Sequence, residues 1–237
     1  MRIAVLTSGG KDSILALHKI SDMGELLLVT AIPEREDSYM FHTANLHMLD
    51  AIAKCLDLPL VKIKVSGIEE KEVEELKEGL SNLEIDAVCC GAIASNYQLS
   101  RIKRICDSLD LKLFAPLWGI EQERILNEVS QNFEAVIVSV SAMGLDESFL
   151  GMKLDKRGVE RLKEVAKKTK INLSGEGGEY ETLVLDAPLF KKRIIIKFLE
   201  KIWQNNRGVA LVKDFEIIEK RLEDFRKKKK QKMYFRK

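Results

Sequence analysis

Apolar positions along the 237-residue chain follow two rhythms. Short, nearly continuous apolar runs at residues 3–6, 26–32, 60–65, 87–90 and 112–115 have the form of strands buried on both faces of a parallel sheet. Between them, apolar residues recur three and four positions apart, as helices require. Ile14 and Leu17 lead one such stripe, and Leu46, Leu49, Ile52, Ala53 and Leu56 mark a helix over 44–56. A charged amphipathic helix follows over 68–80, and Leu99, Ile102, Ile105, Cys106 and Leu109 mark the next. Strands alternating with helices predict an α/β fold, doubly wound around a mainly parallel sheet with right-handed crossovers.

After residue 119 the rhythm changes. The pattern predicts helices over 121–133 and 156–168, a strong strand over 135–140, and strand-like runs at 182–185, 194–199 and 209–212. Phe215, Ile218, Leu222 and Phe225 are spaced as a closing amphipathic helix. The expected organisation is an α/β domain over 1–119, a smaller α+β domain over 120–225 and a basic tail over 226–237. Residues 34–43 break all periodicity and read as a loop at the carboxyl end of the second strand, where Met40, Phe41 and His42 would line a ligand site.

Composition narrows the class. No apolar stretch approaches the roughly 18 to 20 residues of a membrane helix. Met1-Arg2-Ile3 leads straight into the first strand without a signal-peptide layout, so a cytoplasmic protein with no membrane contact is expected. Net charge is +2, yet eight of the last twelve residues are basic and none is acidic. The remainder therefore carries a charge of about −6, which argues against a nucleic-acid-binding body. Cys55, Cys89, Cys90 and Cys106 lack CxxC or histidine spacing and read as small buried apolar residues. The acidic run at 69–75 reads as a solvated helix face. A homo-oligomer is compatible with the sequence but not specified by it.

Candidate chemistry gathers in two stretches. The first is Ser8-Gly9-Gly10-Lys11-Asp12-Ser13, directly after the first strand and opening the first helix. Glycines let backbone approach a ligand, and the turn and helix N-terminus present N–H groups to an anion. Thr7, Ser8 and Ser13 add hydroxyl donors, Lys11 adds positive charge, and Asp12 could hold a magnesium ion carried by phosphates. The spacing is not that of a Walker A loop. It resembles the SGGxDS signature of the PP-loop, or N-type, ATP pyrophosphatases, which cleave ATP to AMP and pyrophosphate. That resemblance implies a HUP-like nucleotide-binding fold, and assigns adenylate contact to Gly91 and Ala92 in the turn after the fourth strand. Arg101, on the helix that follows, could meet a phosphate or a substrate carboxylate bidentately.

The second stretch is Glu176-Gly177-Gly178-Glu179-Tyr180-Glu181-Thr182. Three carboxylates within six positions repel one another and gain from a cation: magnesium, ammonium, or a quaternary ammonium enclosed by Tyr180, Tyr97 or Trp118. Together with SGGKDS, the segments GAIASNYQ at 91–98, APLWG at 115–119 and GEGGEYETLVLDAPLF at 175–190 resemble the diphthine–ammonia ligase family. The extra C-terminal domains of eukaryotic members are not evident, which suggests the short archaeal-type form.

The resemblance implies ATP-dependent amidation of diphthine, a modified histidine of translation elongation factor 2, with ammonium as nitrogen source. ATP and Mg2+ would be required. Lys11, Asp12, Glu176, Glu179 and Glu181 would be catalytic. Tyr97, Arg101, Trp118, Gly177, Gly178, Tyr180 and Thr182 would bind substrate. Which glutamate faces ammonium and which faces a trimethylammonium group stays open. The alternatives are another PP-loop adenylating enzyme, such as a tRNA-modifying one, and a non-catalytic ATP-binding regulator.

Overall fold

The computed structural model describes residues 1–34 and 45–220, and among these described residues the chain forms nine strands and six α-helices. The expected loop with Met40, Phe41 and His42, the helical positions Leu222 and Phe225, and the basic tail lie outside the described residues. The chain divides into two compact units. The first comprises Met1–Ser8, Asp12–Leu46 and Leu58–Gly119; the second comprises Gly9–Lys11, His47–Asp57 and the chain from Ile120 onward.

In the first unit β1 (Arg2–Leu6), β2 (Glu25–Pro33), β3 (Leu60–Val65), β4 (Ala87–Cys89) and β5 (Lys112–Phe114) form a parallel sheet in the order β3-β2-β1-β4-β5. The strands are joined through α1 (Lys11–Ile20), α3 (Lys71–Ser81) and α4 (Asn96–Ser108), as the alternation predicts. Ala4, Leu27, Val29 and Val88 from the strands pack with Val73, Leu76, Leu80, Ile102 and Ile105 from α3 and α4. The chain winds outward from β1 to β3, then returns to place β4 on the other side of β1. Such an order reversal leaves a crevice at the carboxyl ends of β1 and β4, the usual ligand position in open α/β sheets.

The second unit holds an antiparallel sheet of β6 (Glu134–Val140), β7 (Tyr180–Asp186), β8 (Lys192–Gln204) and β9 (Arg207–Glu219), in the order β7-β6-β9-β8. It also contains α2 (Leu49–Leu56), α5 (Gln122–Asn132) and α6 (Lys156–Thr169). No helix among the described residues is long and apolar enough to cross a membrane.

Three sequence expectations change. Phe215 and Ile218 are not in a closing helix but in β9, where Phe215 pairs with Ile196 and Ile218 with Arg193. The spacing of three and four is matched locally, but cross-strand pairing along a thirteen-residue partner strand overrides it. The helix expected over 44–56 starts only at Leu49, after a 3-10 turn at Leu46–Met48. The acidic run at 69–75 is not a uniformly solvated face, because Glu72 is buried and Glu70 pairs with Arg101 and Arg104.

Candidate active site

Within the first unit, the carboxyl end of β1 leads through Thr7 and Ser8 toward the first turn of α1. The hydroxyls of Thr7 and Ser13, both nearly buried, lie 3.0 Å apart and tie the end of the strand to the start of the helix. The turn after β4 packs directly on this helix start. A Cβ at Gly91 would stand 2.8 Å from both the Asp12 carbonyl carbon and the Ser13 nitrogen, so only glycine permits the approach. Ala92 beside it is buried. Asp12 sits half-buried in the first turn of α1.

Ile93 and Gly119 join two of the sequence segments singled out above, the Gly119 N–H donating to the Ile93 carbonyl at 2.8 Å. Trp118, in the same turn, is 38% exposed. Ser95 caps α4 by accepting from the Gln98 N–H. The Tyr97 hydroxyl donates to Glu69 at 2.9 Å, and the Arg101 guanidinium lies 3.4 Å from the centre of the Tyr97 ring. Arg101 also pairs with Glu70, as does Arg104 at 2.7 Å. The hydrogen bond from Arg104, with that from Arg101, holds the Glu70 carboxyl below its usual range. Arg101, expected to meet substrate, is thus engaged in a clamp between α4 and the start of α3.

The second unit holds Gly9–Lys11 of the first chemical stretch against the second stretch. The Val184 N–H donates to the Gly9 carbonyl at 3.0 Å, and the Lys11 N–H donates to the Thr182 hydroxyl at 3.0 Å, 171 positions along the chain. Gly9 has a φ of +78° and its α-carbon packs so closely that a Cβ would meet Ile52 Cδ1 at 2.6 Å. Lys11 is 3% exposed. Its Nζ donates to the Ser174 carbonyl and lies 5.3 Å from the centre of the Tyr180 ring.

The acidic segment is a tight turn rather than an open loop. Gly175 and Gly178 adopt φ values of +74° and +82°, the left-handed region that glycine takes without strain. Glu179 folds back so that its Oε1 accepts from the Asn172 N–H at 2.8 Å, while Oε2 is buried with no hydrogen-bond partner among the described residues. Glu176 is half-buried in the turn, and Glu181 is half-buried on β7. Gly177 and Gly178 are exposed at the tip, and Ser141 donates to the Gly178 carbonyl. The Tyr180 hydroxyl donates to the Leu173 carbonyl at 2.8 Å.

Three residues of this arrangement were not singled out by sequence reasoning. Gln122 Oε1 accepts from the Leu173 and Ser174 N–H groups at 2.9 and 3.3 Å, and Asn172 Oδ1 accepts from the Ser174 N–H and hydroxyl at 3.0 and 2.7 Å. Ser174 itself is fully buried. Asn172 and Ser174 form an Asx-type turn, which the Asn-Leu-Ser-Gly run at 172–175 could have indicated; nothing near Gln122 signals its partner. Among the described residues, His18 is bonded to the Ile14 carbonyl and His47 to the Val212 carbonyl, both structural roles. All four cysteines are buried free thiols, and burial pushes Cys55 and Cys106 up to about 11 and Cys89 higher still. No group of three or more metal-ligating side chains occurs among the described residues.

A parallel sheet in the order β3-β2-β1-β4-β5, with an SGGKDS loop between β1 and the following helix, defines a nucleotide-binding protein of the PP-loop ATP pyrophosphatase class. Residues 1–113 match the family model described as diphthamide synthase N-terminal domain, and residues 121–218 the one described as diphthamide synthase C-terminal domain. The diphthine–ammonia ligases of Bos taurus and Homo sapiens are each 36% identical over 250 residues, covering 94% of this chain and 93% of those proteins. That of Schizosaccharomyces pombe is 35% identical over 90% of this chain but only 39% of its own length. The chain belongs to the diphthine–ammonia ligase family, and is a C–N bond-forming ligase of diphthamide synthesis. Shortness does not set it apart from the mammalian relatives, which are covered almost completely.

Proposed function

We propose that the chain amidates diphthine on translation elongation factor 2, using ATP and ammonia and passing through an acyl-adenylate. The observation that carries this reading is the hydrogen-bonded junction of Gly9–Lys11 with Ser174, Thr182 and Val184. Through it, Gly9–Lys11 and the acidic segment form one framework within the second unit.

A carboxylate is a poor electrophile. In the first step a diphthine carboxylate oxygen attacks the α-phosphorus of ATP, and the bond to the bridging oxygen breaks to release pyrophosphate. Ser8, Gly9, Gly10 and Ser13, with Thr7 behind them, hold the β- and γ-phosphates, whose charge grows as they leave. Gly91 and Ala92 meet the adenylate. In the second step ammonia attacks the acyl carbon and AMP leaves, giving the amide.

The donor set fits a magnesium ion carried in with the nucleotide. Such an ion keeps most of its ligands as water and phosphate and needs only one or two carboxylates, and Asp12 in the first turn of α1 supplies one. When bound it would spread the developing negative charge of the departing pyrophosphate. Glu176, Glu179 and Glu181 make the second segment unsuited to phosphate and suited to cations, both ammonium and the trimethylammonium of diphthine. A carboxylate there would attract ammonium and take its proton, releasing the nucleophilic form. Tyr180, Tyr97 and Trp118 offer aromatic faces for the quaternary group, and Gly177, Gly178 and Thr182 shape the segment.

The two-step reading is tested by exchange of labelled pyrophosphate into ATP without ammonium. Exchange is expected only when diphthine-bearing elongation factor 2 is present, and should disappear when that substrate carries unmodified histidine. Exchange independent of the modified substrate, or none at all from protein that binds ATP, would contradict the acyl-adenylate.

A further inference from the structure

Lys11 stands where a basic residue would be expected to reach forward to phosphate, yet its ammonium goes elsewhere. The side chain is 3% exposed, its Nζ donates to the Ser174 carbonyl, and the Tyr180 ring lies 5.3 Å away. An ammonium taken out of water is costly unless hydrogen-bonded and electrostatically matched. Here a peptide carbonyl supplies the bond, and the face of the Tyr180 ring supplies the match.

The acceptor is itself held from both sides. Gln122 and Asn172 accept the N–H of Ser174, and the Tyr180 hydroxyl holds the carbonyl of the preceding residue, Leu173. Ser174 is 0% exposed. If the lysine left for a phosphate, a fully buried carbonyl would lose its donor, which is among the more expensive vacancies in a folded chain. A phosphate at the start of α1 does not need the ammonium, since helix N–H groups and neighbouring hydroxyls already favour an anion there.

We infer that Lys11 is a positioning residue: it fixes the turn over residues 172–180, and so sets the geometry of the acidic segment, rather than ligating the nucleotide's phosphates. This rests on the reading of Ser8–Ser13 as the phosphate loop. The helix N-terminus and the hydroxyls of the loop serve the anion in this reading, while the one long side chain in it bonds the Ser174 carbonyl and supports the segment proposed to recognise the cationic substrate. Tyr180 and Lys11 then act in one chain of contacts, so their removal should affect the same observable.

The test compares wild type with Lys11→Met, which keeps the length and loses the charge, and Tyr180→Phe, which loses only the hydroxyl. Hydrogen exchange of the ligand-free proteins is read over residues 173–180, and ATP affinity is measured separately by calorimetry. We expect exchange over 173–180 to quicken about tenfold or more in Lys11→Met and to quicken in Tyr180→Phe, with ATP affinity within about threefold of wild type in both. The double variant should exchange no faster than Lys11→Met alone. An ATP dissociation constant raised tenfold or more in Lys11→Met, or exchange left unchanged there, overturns the inference. Should Lys11→Met not fold, Lys11→Gln, which removes the charge but keeps a donor for the Ser174 carbonyl, decides by ATP affinity: a dissociation constant within about threefold of wild type is expected, and one raised tenfold or more overturns the inference. A wild type that binds no ATP would end the phosphate-loop reading, while the exchange data would still judge whether Lys11 fixes the turn over residues 172–180.

Discussion

Gly91 shows how much one absent methyl group can decide. Its α-carbon lies against the peptide between Asp12 and Ser13, and both atoms a Cβ would meet, at 2.8 Å, belong to backbone. A flexible side-chain tip would swing away, but this peptide belongs to the first turn of α1. Gly91→Ala should therefore push the helix start out of place, lowering stability by about 1–3 kcal/mol in urea unfolding. It should also weaken ATP binding about tenfold or more, because the proposed phosphate loop and the helix start move together. Unchanged affinity would mean that the turn after β4 takes no part in the nucleotide site. The need for glycine in a strand-to-helix turn is readable from sequence; its contact partner, about eighty positions earlier, is not. Arg101 illustrates the converse: its type suits an anionic ligand, but the ion pair with Glu70 depends on the fold bringing α3 and α4 together.

At the scale of elements, local signals account for the helices well. In α6, Asp155 adopts extended backbone and its side chain accepts from the Gly158 N–H at 2.9 Å, a full N-cap. Asp155→Ala should cost about 1 kcal/mol, measured by chemical denaturation, and leave ATP affinity unchanged. A negligible loss would show that tertiary contacts alone hold the start of α6. The parallel strands are legible for the same reason, since burial on both faces writes itself as continuous apolar runs. The β8–β9 hairpin is less so. Its turn, Asn205-Asn206, has both residues at positive φ, 51° and 60°, the form that joins tight antiparallel pairs. An Asn-Asn pair is a weaker signal than Asn-Gly, and the half-exposed strands beside it alternate poorly, so Phe215 and Ile218 mimic helical spacing.

For the whole molecule, the sequence segments that carry chemistry come to lie in hydrogen-bonded groups within their own units. GAIASNYQ meets APLWG through Ile93 and Gly119, and the Gly9–Lys11 part of the phosphate-type loop meets the acidic segment through Ser174, Thr182 and Val184. Motif composition made these stretches visible, because glycine, lysine and clustered carboxylates are costly to place without purpose. Their meeting could not be read in advance, since no local pattern encodes a bond across 171 positions. The same gap hid Gln122 and left Lys11 pointing, on residue type alone, toward phosphate. The assignment of residues 9–11 and of α2 to the second unit is likewise a property of packing rather than of chain order.

Incubation of the protein with ATP, magnesium, ammonium and diphthine-bearing elongation factor 2, with AMP quantified alongside the mass of the modified histidine, tests the central claim most directly. One AMP should appear for each carboxylate converted to amide, and omission of ammonium should stop amide formation. ADP in place of AMP, or AMP released while the carboxylate remains intact in the presence of ammonium, would contradict the account.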